Sequence, residues 1–427
     1  MSKESPKSTE MIIRLVAAAV VAATTAACSA ATTTTTRAQE SESCSRGVTV
    51  PSTAANGLLA DCNVLLGLKL ALAGNNDTTL NWSADVAIAD WDGVGVGGSP
   101  QRVDLLDLEG KGLSGTIPPE IGKLDRLLFL YLLRNQLSGP IPAELSDLAD
   151  LTVLSLAANN LTGSIPVELF QLTGLEELWL WENRLSGSIP SEIGELSNLK
   201  ALGLSSNELS GKIPAVLAEL SDLTELYLWE NELTGSIPTE LGTLENLEVL
   251  SVESNRLTGP IPSELGSLAN LTELNLWGNE LTGSIPTELG TLEDLKVLSA
   301  GSNKLTGAIP SELGSLANLT ELYLWGNDLT GRIPTELGNL AHLTVLSISF
   351  NRLSGAIPAQ LGELAMLEVL YLSNNRLSGA MPAELGALSV LRKLEIHNNP
   401  LLTGCVPAAL EDSLDSYEFG ELEFCGT

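Results

Sequence analysis

The sequence predicts an α/β repeat solenoid, with a concave parallel β-sheet, short 3-10 or helical segments on the convex side, and a cap at each end. The first observation is the phrase L-x-x-L-x-L-x-x-N-x-L-x-G-x-I-P, which recurs with a 24-residue period. The second is its inner order, because alternating apolar residues predict a strand and the proline predicts a helical turn. The third is regularity: twelve steps of this period lead from Lys111 to Asn399 and define thirteen coils.

The coil around Leu250 shows how each part of the phrase is used. Leu250 and Val252 are predicted to point inward from a short strand, and Gly259 to supply a permissive turn. Pro262 is expected to pre-set the first turn of a helical segment, and Gly266 to end it. Because one coil cannot bury its leucines alone, stability must come from stacked neighbours and from capped ends.

The recurring asparagine is predicted to form a ladder through the stack. Its side-chain amide can bond the main chain of neighbouring coils, and so satisfy polar backbone that the turns would otherwise bury unpaired. The predicted ladder consists of Asn135, Asn159, Asn183, Asn207, Asn231, Asn255, Asn279, Asn303, Asn327, Asn351, Asn375 and Asn399.

The L-x-G-x-I-P half of each coil, with its 24-residue period, resembles the plant-type leucine-rich repeats of receptor-kinase ectodomains and polygalacturonase-inhibiting proteins. The same repeat type occurs in bacterial surface proteins. The resemblance covers residues 60–427 and implies a leucine-rich-repeat horseshoe or superhelix. Similarity to the inhibitors also implies one version of the function, in which the concave face blocks a secreted enzyme.

The segment before the repeats resembles the N-terminal cap of that family, through residues 61–69, 81–83 and 91–94. The family's cap usually has a cysteine pair flanking its W-x-G-V stretch. Ala89 and Val96 stand at those two places here. The disulfide of this cap must therefore be arranged differently or be absent.

The chain is predicted to divide into five segments. These are a signal peptide at 1–27, a Thr/Ser-rich tether at 28–42, the N-terminal cap at 43–102, the thirteen-coil solenoid at 103–407 and the C-terminal cap at 408–427.

The N-terminus predicts export from the cytoplasm. An apolar run from Leu15 to Ala27 has the length of a signal-peptide core and is too short to span a bilayer. Cys28 follows it and resembles the lipidated cysteine of a bacterial lipobox, although Thr25 replaces the usual leucine. An ordinary cleavage site near Ala27 to Ala31 is the alternative. We expect a secreted or surface-anchored protein that meets the membrane only through a lipid.

Five cysteines leave one unpaired, and Cys28 is that one if it carries a lipid. The others are predicted to pair as Cys44 with Cys62 in the N-terminal cap, and as Cys405 with Cys425 in the C-terminal cap. Each pair would close a loop of about twenty residues, worth roughly 3 kcal/mol in the chain-entropy model. Reduced thiols in a cytosolic protein are the alternative, which the export signal disfavours.

The formal net charge of −31 limits the partners. A nucleic-acid partner is excluded because such affinity comes mostly from cations set against phosphates. Anionic membrane surfaces would be repelled as well. The charge keeps a long solenoid soluble, attracts cations or basic partners, or does both.

The sequence predicts no enzyme, cofactor or metal site. The two histidines, His342 and His397, lie in different coils and have no nucleophile motif around them. The cysteine spacings of metal sites do not occur. Carboxylates abound, but a periodic face gives them similar environments, whereas acid–base catalysis needs different ones. No kinase-like segment follows the repeats, so a separate partner is expected to carry any signal.

Bulky aromatic residues concentrate between the inward leucines, where strand alternation turns side chains onto the concave face. Trp181, Trp229, Trp277 and Trp325 recur with a 48-residue period, so the unit of this face is a pair of coils. We expect ridges of indoles roughly 10 Å apart, beside a row of carboxylates and separated by gaps. The predicted ligand-binding residues are Tyr131, Trp179, Trp181, Tyr227, Trp229, Trp277, Tyr323, Trp325, Tyr371, Glu177, Glu225, Glu273 and Glu321.

Two interpretations of this face stay open. It binds a ligand, since Trp and Tyr are enriched at recognition hot spots, or it is a relic of duplication of a 48-residue unit. A ligand face could stack on a glycan, grip a basic peptide with glutamates as counter-charges, or cover a protein. The alternative function is a structural or adhesive surface spacer without a concave ligand.

Overall fold

The computed structural model describes residues 55–73, 80–83 and 86–426, and within them it confirms the repeat solenoid. The predicted signal peptide 1–27, the tether 28–42, Cys28 and Cys44 lie outside the described residues. Inside the described ranges, every helix is too short or too polar to cross a membrane.

The main sheet has fifteen strands, which lie side by side in chain order. The first two strands pair antiparallel, and all later pairs are parallel. Thirteen of the strands belong to coils, as predicted, and each cap adds one. They are Val94–Gly97, Arg102–Asp107, Phe129–Tyr131, Val153–Ser155, Glu177–Trp179, Ala201–Gly203, Glu225–Tyr227, Val249–Ser251, Glu273–Asn275, Val297–Ser299, Glu321–Tyr323, Val345–Ser347, Val369–Tyr371, Lys393–Glu395 and Ser416–Glu418.

Two smaller parallel sheets, of seven and three strands, are built from the segments that follow the ladder asparagines. The first contains Ser138–Gly139, Asn160–Gly163, Arg184–Ser188, Glu208–Lys212, Glu232–Gly235, Arg256–Pro260 and Glu280–Thr282. The second contains Ser354–Gly355, Arg376–Ala380 and Leu401–Thr403. The left-handed φ of +80° at Gly259 confirms its role as a permissive turn within these segments.

A short 3-10 helix completes each coil. The helices in the described residues are Ile88–Asp90, Pro119–Lys123, Ala143–Asp147, Val167–Gln171, Ser191–Glu195, Ala215–Glu219, Thr239–Thr243, Ser263–Ser267, Thr287–Thr291, Ser311–Ser315, Thr335–Asn339, Ala359–Glu363, Ala383–Ala387 and Ala408–Leu410, and one α-helix spans Ala55–Ala73 in the N-terminal cap. Pro262 precedes Ser263–Ser267 with φ −63°, which confirms that proline sets the entry to the helical turn.

The predicted role of Gly266 is wrong. The 3-10 helix ends at Ser267, and the N–H of the C-cap residue Leu268 donates to the carbonyl of Leu265. Gly266 lies inside the helix, where a Cβ atom would overlap the carbonyl oxygen of Glu288 in the next coil. Glycine is needed here because neighbouring coils approach each other closely, and not because the helix must stop.

The core is a continuous column of leucines, and the asparagine ladder runs beside it. Asn255 shows the pattern: its Nδ2 donates to the carbonyls of Leu228, Val252 and Glu253, and its Oδ1 accepts from the N–H of Leu233. The same four-bond pattern recurs at all twelve predicted positions, so the ladder is confirmed. It joins two neighbouring coils at each step and satisfies buried backbone.

The N-terminal cap is fixed to the first coil by a buried carboxylate. Asp61 accepts hydrogen bonds from Nε and Nη2 of Arg102, at 2.8 Å each, and from the N–H of Val103 at 2.9 Å. The buried rings of Trp82 and Trp91 stack at 5.7 Å. Cys62 is buried and disulfide-bonded, whereas Cys44, its predicted partner, lies outside the described residues.

The C-terminal cap contains the predicted disulfide between Cys405 and Cys425, which is confirmed with an S–S distance of 2.08 Å. Its last strand, Ser416–Glu418, extends the main sheet in parallel with Lys393–Glu395. Phe419 and Phe424 pack edge to face at 5.2 Å below it. The open end of the leucine column is therefore covered by an aromatic plug.

Candidate ligand-binding face

The predicted ligand-binding residues share one face of the main sheet. In the strand Glu225–Tyr227, Leu226 is fully buried in the core, so Glu225 and Tyr227 turn to the opposite side. Glu225 pairs in register with Val249 on the next strand, and Val249 pairs with Glu273 on the strand after it. Glutamate therefore returns to the same register position two strands away. We call the thirteen predicted residues together the aromatic-acidic face; they are Tyr131, Trp179, Trp181, Tyr227, Trp229, Trp277, Tyr323, Trp325, Tyr371, Glu177, Glu225, Glu273 and Glu321.

The prediction of exposed indole ridges is wrong in the first half of this face. Trp179 is 1% exposed, Trp181 9% and Trp229 7%, and Tyr131 and Tyr227 are buried too. The aromatic residues of the later coils are half-buried: Trp277, Tyr323, Trp325 and Tyr371. The face is therefore smooth where the sequence indicated separate ridges.

The indoles of Trp179, Trp181 and Trp325 lie flat because a neighbouring coil carries glycine beside each of them. A Cβ atom on Gly203 would lie 2.5 Å from Cε3 of Trp179 and 3.1 Å from Cδ1 of Trp181. A Cβ on Gly301 would likewise lie 2.7 Å from Nε1 of Trp325. The positions predicted as gaps are thus occupied by rings that lean in from the preceding or following coil.

Two acid–aromatic pairs form within single strands. Nε1 of Trp179 donates to Oε2 of Glu177 at 2.8 Å, and the hydroxyl of Tyr323 donates to Oε2 of Glu321 at 2.8 Å. Burial and the nearby carboxylate of Glu225 raise the pKa of Tyr227, which therefore stays protonated at neutral pH. Burial also raises the pKa of Tyr131 to about 12. The hydroxyls of Tyr227 and Tyr323 are thus held against the glutamates of their own strands.

The glutamate row is an electrostatically strained arrangement. Burial raises the pKa of Glu225, and repulsion from Glu177 adds to the effect. Burial and then Glu321 raise the pKa of Glu273 in the same way. Since the charged forms are penalised by both causes, a cation placed over this row would be bound favourably.

One further carboxylate on this face, Glu253, is not among the predicted residues. It is 5% exposed and stands between Trp229 and Trp277 in the coil register, where its Oε2 accepts a 2.6 Å hydrogen bond from the hydroxyl of Ser251. Burial raises the pKa of Glu253 to about 7, with Glu273 contributing further. The signal was present in the phrase "EVLSVESN", because a carboxylate there replaces the indole of the neighbouring coils.

Several polar atoms on the concave side are buried without a hydrogen-bond partner in the described structure. Among them, Nε1 of Trp181, the hydroxyl of Ser205 and Nε1 of Trp229 form a strip, on three successive coils at equivalent positions. Native proteins leave few such groups unpaired, so this strip is a candidate contact for a ligand. Among the described residues, no group of three or more His, Cys, Asp or Glu is arranged to hold a metal ion.

Models of the leucine-rich repeat match most of the coils. A leucine-rich repeat region matches residues 182–308, and shorter repeat models match 150–172, 318–340 and 341–401. No curated protein matches the chain in a sequence search.

Several solved structures are similar to the chain. The crystal structure of PEPR1–AtPEP1 is 33% identical with a TM-score of 0.74, and the match covers 86% of this chain and 56% of that one. The Arabidopsis receptor kinase HAESA, in complex with the peptide hormone IDA and the co-receptor SERK1, is 30% identical to this chain with a TM-score of 0.63. That match covers 82% of this chain and 70% of the HAESA chain. A leucine-rich-repeat protein of Leptospira interrogans is 38% identical to this chain with a TM-score of 0.58. That match covers 67% of this chain and 70% of the Leptospira chain.

The chain spans less than two thirds of the PEPR1 chain, but more than two thirds of the HAESA and Leptospira chains. The repeat models and these structures agree with the coils, ladder and parallel sheet described above. The chain belongs to the leucine-rich-repeat family.

Proposed function

We propose that the chain is an exported, non-enzymatic recognition module that binds a protein, peptide or glycan on its aromatic-acidic face, with a basic peptide as the favoured ligand. The segment 1–27 supports export, and Cys28 supports a lipid tether that places the module outside the cytoplasm. A separate partner would carry any signal onward.

The row of partly buried carboxylates is the observation that carries this proposal. Glu225 and Glu273 have raised pKa values because each is half-buried and faces other carboxylates on the same side of the sheet. A ligand lysine or arginine would neutralise this repulsion, and nearby indoles and tyrosines would cover its aliphatic stem. Neither effect is available to a neutral ligand.

Burial of the aromatic rings makes a glycan the less favoured ligand. Stacking on a sugar needs an accessible ring face, whereas Trp179 and Trp229 are almost fully covered. The half-buried rings of Trp277 and Trp325 leave a smaller area for such contacts.

The similar structures also support a peptide ligand. HAESA is in complex with a peptide hormone and a co-receptor, and RGFR1 is a plant peptide hormone receptor in complex with RGF2. A peptide ligand and a separate signalling partner are therefore both known arrangements for this type of solenoid.

An array of peptides and glycans, probed with the full chain and two variants, tests the proposal. The face variant carries Glu177→Gln, Glu225→Gln, Glu273→Gln and Glu321→Gln. The matched control carries Glu240→Gln, Glu264→Gln, Glu288→Gln and Glu312→Gln, which remove the same charge from exposed 3-10 helices. Circular dichroism verifies that both variants are folded.

We expect basic peptides to bind the parent and the control, and to lose at least tenfold in affinity with the face variant. Equal loss in both variants would mean that only net charge attracts the peptides. If all three proteins gave the same hits or none, the aromatic row would be a relic of duplication. The spacer or adhesive function would then take first place.

A further inference from the structure

The strip of unpartnered donors indicates the conformation of the ligand. Nε1 of Trp181 and Nε1 of Trp229 are both donors only, and Ser205 lies on the coil between them. Each of the three side chains is at least nine-tenths buried. A ligand that satisfies the two indoles must offer two hydrogen-bond acceptors, and these must be neutral because Glu225 and Glu253 line the same face.

The spacing of the two indoles selects among peptide conformations. Trp181 and Trp229 are separated by one 48-residue period, which is two strands and about 9.6 Å along the sheet. An extended β-strand presents equivalent carbonyls about every 6.8 Å, which fits neither one strand spacing nor two. A polyproline-II helix has three residues per turn and a rise of about 3.1 Å, so equivalent carbonyls recur about every 9.3 Å.

We infer that the ligand is a proline-rich segment in the polyproline-II conformation, with a basic residue at every third position. Its carbonyls accept from Nε1 of Trp181 and Nε1 of Trp229, since this helix leaves its backbone free of internal hydrogen bonds. The inference rests on the proposed function of the aromatic-acidic face. It adds the backbone conformation and the sequence period of the ligand.

The glutamate row has the same period as the indoles. Glu177, Glu225, Glu273 and Glu321 also follow one another with the 48-residue period, on every second strand. A basic residue at every third ligand position would therefore meet one glutamate per turn of the polyproline-II helix. Four turns, or about twelve residues, would cover the row from the first glutamate to the last.

Binding requires the indoles to move. Both nitrogen atoms are buried, so the rings of Trp181 and Trp229 must turn outward as the ligand replaces their cover. Gly203 leaves the ring of Trp181 free to lie flat before binding, since it places no side chain against that ring. A change in tryptophan fluorescence should accompany ligand binding.

Calorimetric titration of the full chain with three synthetic peptides tests the inference, because its signal does not depend on the two tryptophans. The first peptide is four Pro-Pro-Arg triplets, and the second is four Gly-Gly-Arg triplets, which keep charge and spacing but are flexible. The third has the composition of the first with its four arginines adjacent. Each peptide is titrated into the parent, into Trp181→Phe/Trp229→Phe, and into the control Trp91→Phe, whose indole lies in the N-terminal cap.

We expect the Pro-Pro-Arg peptide to bind at least tenfold more tightly than either other peptide. The Trp181→Phe/Trp229→Phe variant keeps the rings but removes both donors, and should lose about thirtyfold in affinity, as two ordinary hydrogen bonds would give. The Trp91→Phe control should bind like the parent.

The contradicting outcomes separate this inference from the proposed function. If the Gly-Gly-Arg peptide binds the parent as tightly as the Pro-Pro-Arg peptide, or if the double Phe variant binds normally, the polyproline-II inference fails while a basic ligand on the face survives. If the array gives glycan hits and no peptide binds, the ligand is a glycan and the inference fails. If no probe binds and the four-glutamine face variant matches the parent on the array, both proposals fail.

Discussion

The indole of Trp179 leans across a whole coil to meet the ring of Tyr227, with their centroids 6.3 Å apart. The two residues belong to strands that are two positions apart in the sheet, or about 9.6 Å. The contact is possible because Gly203, on the strand between them, has no side chain. A pair of coils is therefore a packing unit as well as a sequence period.

The first prediction concerns that glycine. Gly203→Ala should destabilise the chain by about 1–3 kcal/mol, because its Cβ would press against Trp179 and overpacking of this kind costs that much. Chemical denaturation measures the loss, and the tryptophan emission should shift to longer wavelength as the rings turn outward. The control is Gly67→Ala in the exposed helix surface, which should be neutral or gain about 0.5–1 kcal/mol. Equal effects at both glycines would contradict the described ring packing.

The second prediction concerns Glu253, whose pKa is raised from 4.5 to about 7 by burial. The folded state then holds its proton more tightly than the unfolded state, so stability should fall as pH rises from about 4.5 to 7 and change little above that. One pKa unit corresponds to about 1.4 kcal/mol, so the total is on the order of 3 kcal/mol.

Glu253→Gln should remove this fall, because glutamine keeps the shape and the hydrogen bond from Ser251 without a charge. Urea denaturation at pH 5 and pH 8 makes the comparison. The facing carboxylates of Glu230 and Glu273 are unchanged in both proteins, so their contribution cancels in the comparison. A pH dependence unchanged by the substitution would show that Glu253 is not the group responsible.

The third prediction concerns the ladder. Asn255→Ala removes the partner of three carbonyls and of the Leu233 N–H, all of which remain buried. The loss of stability should be about 3 kcal/mol or more, since each stranded group costs about 1–3 kcal/mol. Asn246→Ala is the matched control, because that exposed amide bonds only the carbonyl of Ser221 and should cost less than about 1 kcal/mol. Thermal and urea denaturation measure the loss of stability in each variant. Equal losses in the two variants would contradict the structural role of the ladder.

The fourth prediction concerns the C-terminal cap. Cys405→Ser/Cys425→Ser opens a loop with a sequence separation of 20 and should cost about 3 kcal/mol. Because each coil is stabilised mainly by its neighbours, the effect should begin as fraying of the last strands, Lys393–Glu395 and Ser416–Glu418. Hydrogen exchange should show it there first. Uniform exchange along the solenoid, or no response of the parent to a reductant, would argue against this role of the disulfide.

Much of the fold follows directly from the sequence, because period and backbone chemistry determine it. The thirteen coils, the ladder at Asn255 and its equivalents, and the Cys405–Cys425 pair all depend on residues that recur or stand at fixed ends. The flat orientation of the indoles could not be predicted from the sequence, because the direction in which Trp179 leans depends on Gly203 in another coil. The role of Gly266 could not be predicted for a similar reason, because its constraint comes from Glu288 in the next coil.

The candidate site was predictable only in outline. Strand alternation places Glu225 and Tyr227 on one face, and the structure keeps them there. The burial of Glu253 and the unpartnered nitrogens of Trp181 and Trp229 arise from side-chain packing between coils, which a repeat pattern does not encode.

The central claim is that the aromatic-acidic face binds a ligand, and calorimetric titration of the strongest array hit tests it most directly. The hit is titrated into the parent, into Trp277→Ala/Trp325→Ala, whose rings are half-buried, and into Met366→Ala/Val390→Ala, whose side chains are exposed. Removal of two hot-spot aromatics should weaken binding at least thirtyfold, while the control should bind like the parent. An affinity that is the same in all three folded proteins would contradict the claim.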